Sequence, residues 1–360
     1  MQVKKNLLGC SIESLESFFL EIDEPKFRAK QILKWIHQKG ILDFDLMTDL
    51  NKGLRNKLKS LAYIKPPTIH EEHISKEGTI KYLIELESGS MIEMVEIPEK
   101  KRKTLCVSSQ AGCALQCTFC ATGAQGFDQN LESHEIIGQL WLSNFHKKDS
   151  RPITNIVFMG MGEPLLNFDA VIESAKIMKH QLAYGLSRKR ITISTSGIVP
   201  NIKKLYNEID VSLAVSLHAP DDKLRDEIVP INNKYPISSL IDACKSYLNK
   251  YENKRSITIE YILIDGVNDS IQHAKKLTKL LSTISCKINL IPFNGFNGST
   301  YRRPTMKKIN LFKEYLMNKG YITTLRITRG DEVDGACGQL VGNLTNSIKG
   351  KHLISHKSIQ

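Results

Sequence analysis

Between positions 13 and 61, apolar residues recur at the three- and four-residue spacing of an amphipathic helix, most clearly at Ala29, Ile32, Leu33 and Ile36. Lysine and arginine occupy the surface that remains, with nine basic residues against three acidic ones between positions 26 and 59. The pattern predicts a basic helical module over residues 1–65, which is a candidate surface for contacting phosphates. For any single lysine, a merely solvated helix face is an equally good explanation.

After Pro66 and Pro67 the spacing of apolar residues changes from the period of a helix to the alternation of a strand. Apolar and polar residues alternate between Ile69 and Ile97, and Gly78 and Gly89 supply turns within this stretch. Residues 66–103 are therefore predicted to form a short β-meander that ends in the basic run Lys100–Lys103.

From residue 104 onward, apolar strands alternate with helical patterns. The predicted strands are Thr104–Ser108, Asn155–Met159, Arg190–Ile193, Val211–Val215, Ile257–Ile264 and Lys287–Ile291, with a last short strand at Tyr321–Ile327. Helices are predicted near 133–145, from 168, from 200, from 222, near 270–281 and near 307–317. Repeated βα units predict parallel strands, and six of them suit an α/β fold with a partial (β/α)6 barrel over residues 104–345. A doubly wound open sheet is the competing architecture, and residues 346–360 are predicted to be a basic tail.

Polar motifs follow the carboxyl ends of these strands. They are the cysteine-rich loop after residue 108, Gly160–Pro164, Ser194–Gly197, Ser216–His218 and Asn294. Ligands bind at this edge of parallel α/β folds, so one rim is predicted to assemble a single site. Taken one at a time, a glycine turn, a helix cap or a turn asparagine explains each motif equally well.

Three cysteines, Cys113, Cys117 and Cys120, fall within eight residues. A structural zinc site needs four nitrogen or sulfur ligands, and a fourth would have to come from Cys106 or His134 at no recognised finger spacing. A four-iron cluster held by three thiolates leaves one iron open to a ligand, which is a catalytic arrangement. Chance clustering and a zinc site remain the alternatives.

Composition and charge indicate the kind of binding partner and the cellular compartment. The 360-residue chain carries a net charge of +12 and a pI near 9.2, which favours nucleic acid as a partner. Its N-terminus lacks the pattern of a signal peptide, and no apolar run approaches the ~20 residues that span a bilayer. The sequence therefore predicts a cytoplasmic protein without a membrane partner, in which the eight cysteines are reduced.

The remaining cysteines differ in their surroundings. Cys337 stands between Ala336 and Gly338 in a glycine-rich segment without helical or strand period, which favours a reactive role. Cys244 shares a helical stripe with apolar neighbours and is predicted to pack in the core. No function is assigned to Cys10 or Cys286.

These segments resemble the RlmN/Cfr family of radical-SAM RNA methyltransferases over nearly the whole chain. The three clustered cysteines reproduce the C-x3-C-x2-C signature of the radical-SAM superfamily. The other matching segments are Leu105–Cys113, Gly160–Asn167, Ser194–Gly197, Ser216–Pro220, Asp226–Ile231, Asn289–Pro292 and Ala336–Leu340. The RlmN branch is closer than the Cfr branch through Gly112–Cys120 and Ala124–Phe127. The fold implied is a radical-SAM partial barrel.

The resemblance implies a 4Fe-4S cluster bound by Cys113, Cys117 and Cys120, whose open iron binds S-adenosylmethionine and cleaves it to a 5′-deoxyadenosyl radical. Two molecules of S-adenosylmethionine are consumed per turnover. The cofactor contacts that the resemblance implies are Gly162, Glu163, Ser194, Ser216, Leu217, His218 and Asn294.

Three further residues receive catalytic roles from the resemblance. Cys337 accepts a methyl group, which is converted to a methylene radical that adds to C2 of adenine and links protein to RNA. Cys106 then attacks the Cys337 sulfur, which releases methylated RNA and leaves a disulfide. Glu93 is the candidate base for the C2 proton.

The implied substrates are adenine 2503 of 23S rRNA, at the peptidyl-transferase centre, and adenine 37 of a subset of tRNAs. The implied electron donor is of the flavodoxin or ferredoxin type, and the protein is expected to be a monomer. A Cfr-like C8 methyltransferase is the alternative among enzymes, and a zinc-stabilised RNA-binding protein is the alternative without catalysis.

Overall fold

Three helices and a two-stranded parallel sheet form the N-terminal part of the chain. A computed structural model describes residues 4–147, 151–250, 255–326 and 330–342. The first elements are β1 (Lys5–Asn6), α1 (Ile12–Glu21), α2 (Phe27–His37), α3 (Lys52–Leu61) and β2 (Ala62–Tyr63). Ser11 and Asn51 cap α1 and α3 by accepting backbone N–H groups three residues ahead. The apolar stripe predicted on α2 is fully buried.

The predicted meander consists of three antiparallel strands, β3 (Thr68–Ile74), β4 (Ile80–Glu85) and β5 (Met91–Pro98). Strand β5 also pairs in antiparallel fashion with the next strand, β6 (Lys103–Cys106), so the meander extends the main sheet.

The remaining strands are β6 (Lys103–Cys106), β7 (Gln110–Gly112), β8 (Phe127–Asn130), β9 (Asn155–Phe158), β10 (Ile191–Thr195), β11 (Ser212–Ser216), β12 (Ile257–Leu263), β13 (Cys286–Pro292) and β14 (Thr323–Leu325). The remaining helices are α4 (Ala121–Gln125), α5 (Ser133–Phe145), α6 (Phe168–Lys179), α7 (Val199–Glu208), α8 (Asp222–Ile228), α9 (Ile237–Asn249), α10 (Ile271–Leu281) and α11 (Met306–Asn318). The basic tail predicted at 346–360, and Ile327 of the last predicted strand, lie outside the described residues.

The parallel strands follow one another in chain order across the sheet. The order is β6, β9, β10, β11, β12, β13 and β14, and β14 and β3 are the two edges of the ten-stranded sheet. A doubly wound sheet would reverse its strand order at a switch point, so that alternative is wrong. Over the described residues β3 and β14 do not pair with each other, so the sheet stays open there, and the predicted partial barrel is confirmed.

The two faces of the barrel strands differ in character. Their outward residues, such as Ile156, Ile193, Ile259 and Leu290, are fully buried, and the helices between consecutive strands account for this burial. The residues between them point into the barrel and stay accessible to water, among them Thr192 and Thr258. Cys106 pairs with Val157 on one side and Val95 on the other, and cross-strand partners share a face.

The N-terminal helices pack against α5 and the segment that follows α6. The Trp141 indole donates to the carbonyl of Ile36 at 3.0 Å, and the Gln38 amide donates to the carbonyl of Gln181 at 3.0 Å. Among the helices in the described ranges, the longest have 13 residues, and none is long and apolar enough to cross a membrane.

Candidate active site

The cysteine loop is held between β7 and β8, a small antiparallel pair that the sequence pattern did not predict. The backbone N–H of Cys113 donates to Gly126 O at 2.8 Å, which closes the base of the loop. Gly112 has a φ of +71°, and a Cβ there would lie 1.9 Å from Gly126 O. Only glycine permits this closure. The thiols of Cys113, Cys117 and Cys120 line one cavity of about 140 Å³.

Burial in this loop keeps the thiols of Cys113 and Cys117 protonated. Desolvation raises the pKa of Cys113 to about 12 and raises that of Cys117 further, and the neighbouring sulfurs add to both shifts. A metal cluster would therefore have to displace protons when it binds, because thiolates and not thiols are metal ligands.

The donor set fits a multi-iron cluster better than a single zinc ion. Zinc requires its ligands to converge on one point at about 2.0–2.3 Å. Within the described parts of the chain, no group of three or more histidine, cysteine or acidic side chains converges in this way. His134, one of the two fourth ligands considered, is at the start of α5 beside Gly9. Three thiols that surround one cavity instead provide the incomplete thiolate set of a four-iron cluster.

Glu163 brings a carboxylate to the same cavity. It follows Gly162, whose φ of +93° and close approach to Gln110 exclude a side chain. The Glu163 carboxylate accepts the backbone N–H of Ser196 at 2.7 Å and that of Leu165 at 3.0 Å. Burial raises the pKa of Glu163 to about 7, although these hydrogen bonds act in the opposite direction. Gly162, Ser194 and Ser216 line the same cavity.

Arg225, which the sequence analysis did not identify, fixes two of these loops. Its side chain is fully buried and donates to the carbonyls of Ser196 at 2.6 Å, Ser216 at 3.1 Å and Leu217 at 3.0 Å. It also donates to Asn232 Oδ1 at 2.8 Å. An arginine among acidic residues on α8 resembles a solvated surface position, so the pattern carries no signal for this role.

Leu217 and His218 do not line the cavity, although the sequence resemblance groups them with the cofactor contacts. Leu217 is buried in the core. His218 has a φ of +61°, and its Nδ1 accepts the backbone N–H of Ile262 at 3.0 Å. Its ring meets Phe119 edge-on at 4.6 Å, and burial lowers its pKa to about 3. Both side chains support the loop from behind.

Cys337 is at the junction of two cavities. It lines the 140 Å³ cavity with the cluster cysteines and also a larger one of about 560 Å³ inside the barrel. Asn294, a predicted contact, lines the larger cavity and donates to Cys337 O at 3.1 Å. The turn is anchored to α4, because Ala121 N–H donates to Gly338 O at 2.7 Å and Thr122 donates to Leu340 O at 2.7 Å.

Cys106 is buried on the inner face of β6 and lines neither of the two cavities. Burial raises the pKa of Cys106 to about 12, and the Cys337 sulfur adds to this shift. Burial also raises the pKa of Cys337. Arg326 is another residue that the sequence analysis missed. Its positive charge opposes the rise in the pKa of both thiols, because it stabilises their anions. The structure thus brings the two predicted sulfurs to one region.

Glu93 is buried on β5, contrary to the exposure that is usual for a strand glutamate. Its carboxylate pairs with Lys81 Nζ at 3.1 Å and accepts the backbone N–H of Val341 at 2.8 Å. Burial raises its pKa, while Lys81 lowers it. Glu93 shares a sheet face with Val95 and Cys106 but lines neither cavity.

Two family models match the chain. Residues 5–64 match the ribosomal RNA large subunit methyltransferase N-terminal domain, and residues 107–278 match the radical SAM superfamily.

Curated relatives and a solved structure are similar over almost the full length. The dual-specificity RNA methyltransferase RlmN of Marinobacter nauticus is 51% identical over 96% of this chain and 95% of its own. The protein of the same name from Pseudomonas fluorescens is 51% identical over 96% of this chain and 92% of its own. The crystal structure of a radical SAM methyltransferase from Sphaerobacter thermophilus has a TM-score of 0.88 and 40% identity, covering 94% of this chain and 100% of that one.

Proposed function

Since the chain belongs to the RlmN family of radical-SAM methyltransferases, we propose that it methylates C2 of adenine in both 23S rRNA and tRNA. The target positions proposed are adenine 2503 of 23S rRNA and adenine 37 of a subset of tRNAs. A basic chain with a net charge of +12 suits these polyanionic substrates.

Cys113, Cys117 and Cys120 would hold the 4Fe-4S cluster, and Gly162, Glu163, Ser194 and Ser216 would hold S-adenosylmethionine beside it. When bound, these groups supply a methyl group and a carbon-centred radical, and two molecules of S-adenosylmethionine are used per turnover. Glu163 provides a buried carboxylate for the ammonium of the methionine end, and Arg225 holds the backbone of both serine loops in place.

Cys337 would carry the transferred carbon on its sulfur and form the bond to adenine C2, so that protein and RNA are covalently joined. Cys106 would then attack the Cys337 sulfur. That attack breaks the sulfur–carbon bond, and the expelled carbon takes up a proton to become the methyl group of the freed base. A Cys106–Cys337 disulfide remains, which a thiol reductant must open before the next turnover. Glu93 would accept the C2 proton, for which its raised pKa suits it, once it is released from Lys81 and Val341.

The observation that carries the proposal is the position of Cys337 between the two cavities. A sulfur that must meet first a methyl donor and then a nucleobase needs access to both. Residues 1–65 are proposed as a basic RNA-binding module, residues 66–103 as a linking meander and residues 104–345 as the catalytic barrel. A flavodoxin- or ferredoxin-type protein is proposed as the electron donor.

Nucleoside analysis of RNA from cells lacking the protein, with and without complementation, tests the proposal. We expect 2-methyladenosine to disappear from both rRNA and tRNA and to return on complementation. NMR of the modified nucleoside separates C2 from C8 methylation. Zinc without iron in protein purified under anaerobic conditions would contradict the proposal and support a non-catalytic RNA-binding protein.

A further inference from the structure

Many polar side chains line the barrel interior between Cys337 and the amino ends of the strands. Parallel barrels are normally filled by bulky branched side chains. Here apolar side chains such as Val157 and Ile291 line only part of the larger cavity. Hydroxyl and amide side chains from six strands line the rest, namely Thr104, Asn155, Thr192, Thr258, Asn289 and Thr324. All six are partly or fully exposed to water, so a passage of about 560 Å³ takes the place of a packed core. This volume falls within the range of ligand sites.

Cations surround the outer end of this passage. Arg102, Lys189 and Lys287, here termed the amino-end rim, line the cavity where the strands begin. The segments leading into β6, β9 and β10 carry further cations, which are Lys100, Lys101, Arg151, Arg188 and Arg190. Of the acidic residues in the corresponding described segments, Glu99 pairs with Arg102, and Asp210 pairs with Arg255. The rim therefore keeps an excess of positive charge.

The inner end of the passage offers partners for a base. Besides Cys337, it is lined by Glu260 and Arg326. The Glu260 carboxylate accepts the amide of Asn289 at 2.8 Å, and Arg326 Nη1 approaches Met159 Sδ at 3.5 Å. A buried acceptor and a guanidinium donor beside the sulfur can bind the polar edge of a purine.

The opposite end of the barrel is covered. The cysteine loop, α4 and the turn carrying Cys337 are hydrogen-bonded to one another there, and the cofactor cavity opens among them. A nucleotide arriving from that side would compete with the cofactor for space. Along β13, Lys287 and Ile291 are four residues apart, or about 13 Å at the rise of a strand. One unstacked nucleotide, held by a lysine side chain at its phosphate, can bridge that distance.

We propose that the target nucleotide enters through the amino end of the barrel, opposite the cofactor. Its phosphates lie on the amino-end rim, and its base reaches Cys337 through the polar passage. This inference rests on the proposed function and adds the route and the residues that bind the substrate.

The test uses two sets of variants of the cluster-loaded protein. The first is Lys189→Glu with Lys287→Glu, matched by Lys275→Glu with Lys279→Glu on the exposed face of α10, which carries the same change of charge. The second is Thr324→Trp, which obstructs the passage, matched by Thr324→Val, which keeps its width. Three quantities are measured. They are kcat/KM on an unmodified RNA transcript, the affinity for a fluorescein-labelled RNA hairpin with a loop adenosine, and RNA-free methylation of Cys337 by mass spectrometry.

We expect kcat/KM of the rim variant to fall at least tenfold and its affinity for the hairpin to weaken, with a salt slope reduced by about 2. Thr324→Trp should lose RNA methylation, and both variants should methylate Cys337 at the rate of their controls. RNA activity and hairpin affinity that match the controls would overturn the route, as would an equal loss of Cys337 methylation. Absence of Cys337 methylation in the wild-type protein would refute the proposed function instead, and hairpin affinity would still decide the route.

Discussion

The guanidinium of Arg225 donates to the backbone carbonyl of Ser196 at 2.6 Å, although no part of Arg225 is exposed. The same side chain reaches the carbonyl of Ser216, so one buried cation joins the loops after β10 and β11. Because these loops line the cavity that is proposed to hold the cofactor, we expect Arg225 to act as a positioning residue for it.

Arg225→Lys keeps the charge but cannot reproduce all four hydrogen bonds. We expect unfolding to become easier by about 2–4 kcal/mol and S-adenosylmethionine affinity to fall about tenfold, because buried carbonyls lose their donors. Thermal melts and equilibrium dialysis measure the two effects. Arg28→Lys makes the same chemical change in the N-terminal module, and equal effects in both variants would refute a role in positioning.

Glu163 predicts how cofactor binding depends on pH. Its pKa of about 7 in the free site means that the carboxyl is mostly protonated at pH 6 and ionised at pH 8. An ammonium binds only the ionised form, so affinity should rise with pH and lose up to about tenfold per unit below 7. In Glu163→Gln, affinity should be weaker and this dependence absent. Calorimetry of the cluster-loaded protein checks it, and an unchanged pH profile in the variant would exclude this contact.

Variants that lack the Cys337 or the Cys106 sulfur should stop the reaction at different stages. Cys337→Ala removes the acceptor of the methyl group, so neither methylated RNA nor a protein–RNA adduct should form. Cys106→Ala should allow the adduct to form and leave it trapped, because no thiol remains to attack the Cys337 sulfur. Denaturing gels of anaerobic reactions separate trapped RNA from free RNA. Cys286→Ala is the control outside the site, and full turnover by either site variant would disprove the roles.

Lys81 is expected to set the pKa of the candidate base. Lys81→Met removes the cation that lowers the pKa of Glu93, so that pKa should rise further. The acidic limb of the pH–rate profile should then move to higher pH, and activity at neutral pH should fall. Lys103→Met breaks a comparably buried ion pair with Glu96, which is on β5 like Glu93. This variant should leave the acidic limb of the pH–rate profile in place. A limb that moves in neither variant would argue against Glu93 as the base.

Lys30 and Lys34 are exposed on α2 and test the N-terminal module. Reversing both charges should weaken RNA binding and reduce its salt slope by about 2, because two phosphate contacts are lost. Filter binding over a range of salt concentrations measures this. Affinity equal to that of the Lys275→Glu, Lys279→Glu protein would show that this surface does not contact RNA.

Local periodicity predicted most of the barrel. The helix expected near 133–145 spans Ser133–Phe145, and the strand expected at 257–264 spans Ile257–Leu263. These elements have an apolar face that must be buried, and that requirement is visible in the sequence. The hairpin of β7 and β8 was not predictable, because its strands are three and four residues long and without an apolar face.

The site was predictable as a set of positions but not as a set of side-chain directions. The motif containing Ser216 and His218 follows the strand end at which the structure places the cysteine cavity, yet His218, with its positive φ, has its ring packed against Phe119 and does not line that cavity. Arg225 and Arg326 gave no local signal, because the burial of each depends on loops and strands distant in sequence. Tertiary packing decided these positions.

The turn that carries Cys337 is fastened to the helix following the cluster cysteines on one side and, through Val341, to Glu93 on the other. While both anchors hold, we expect the Cys337 sulfur to move between the two cavities by rotation of its side chain, and release of Val341 by Glu93 would free the turn on one side. The proposed carbon transfer would then require a change of side-chain rotamer at Cys337, and binding of a cluster by the loop before α4 would also fix the position of this thiol.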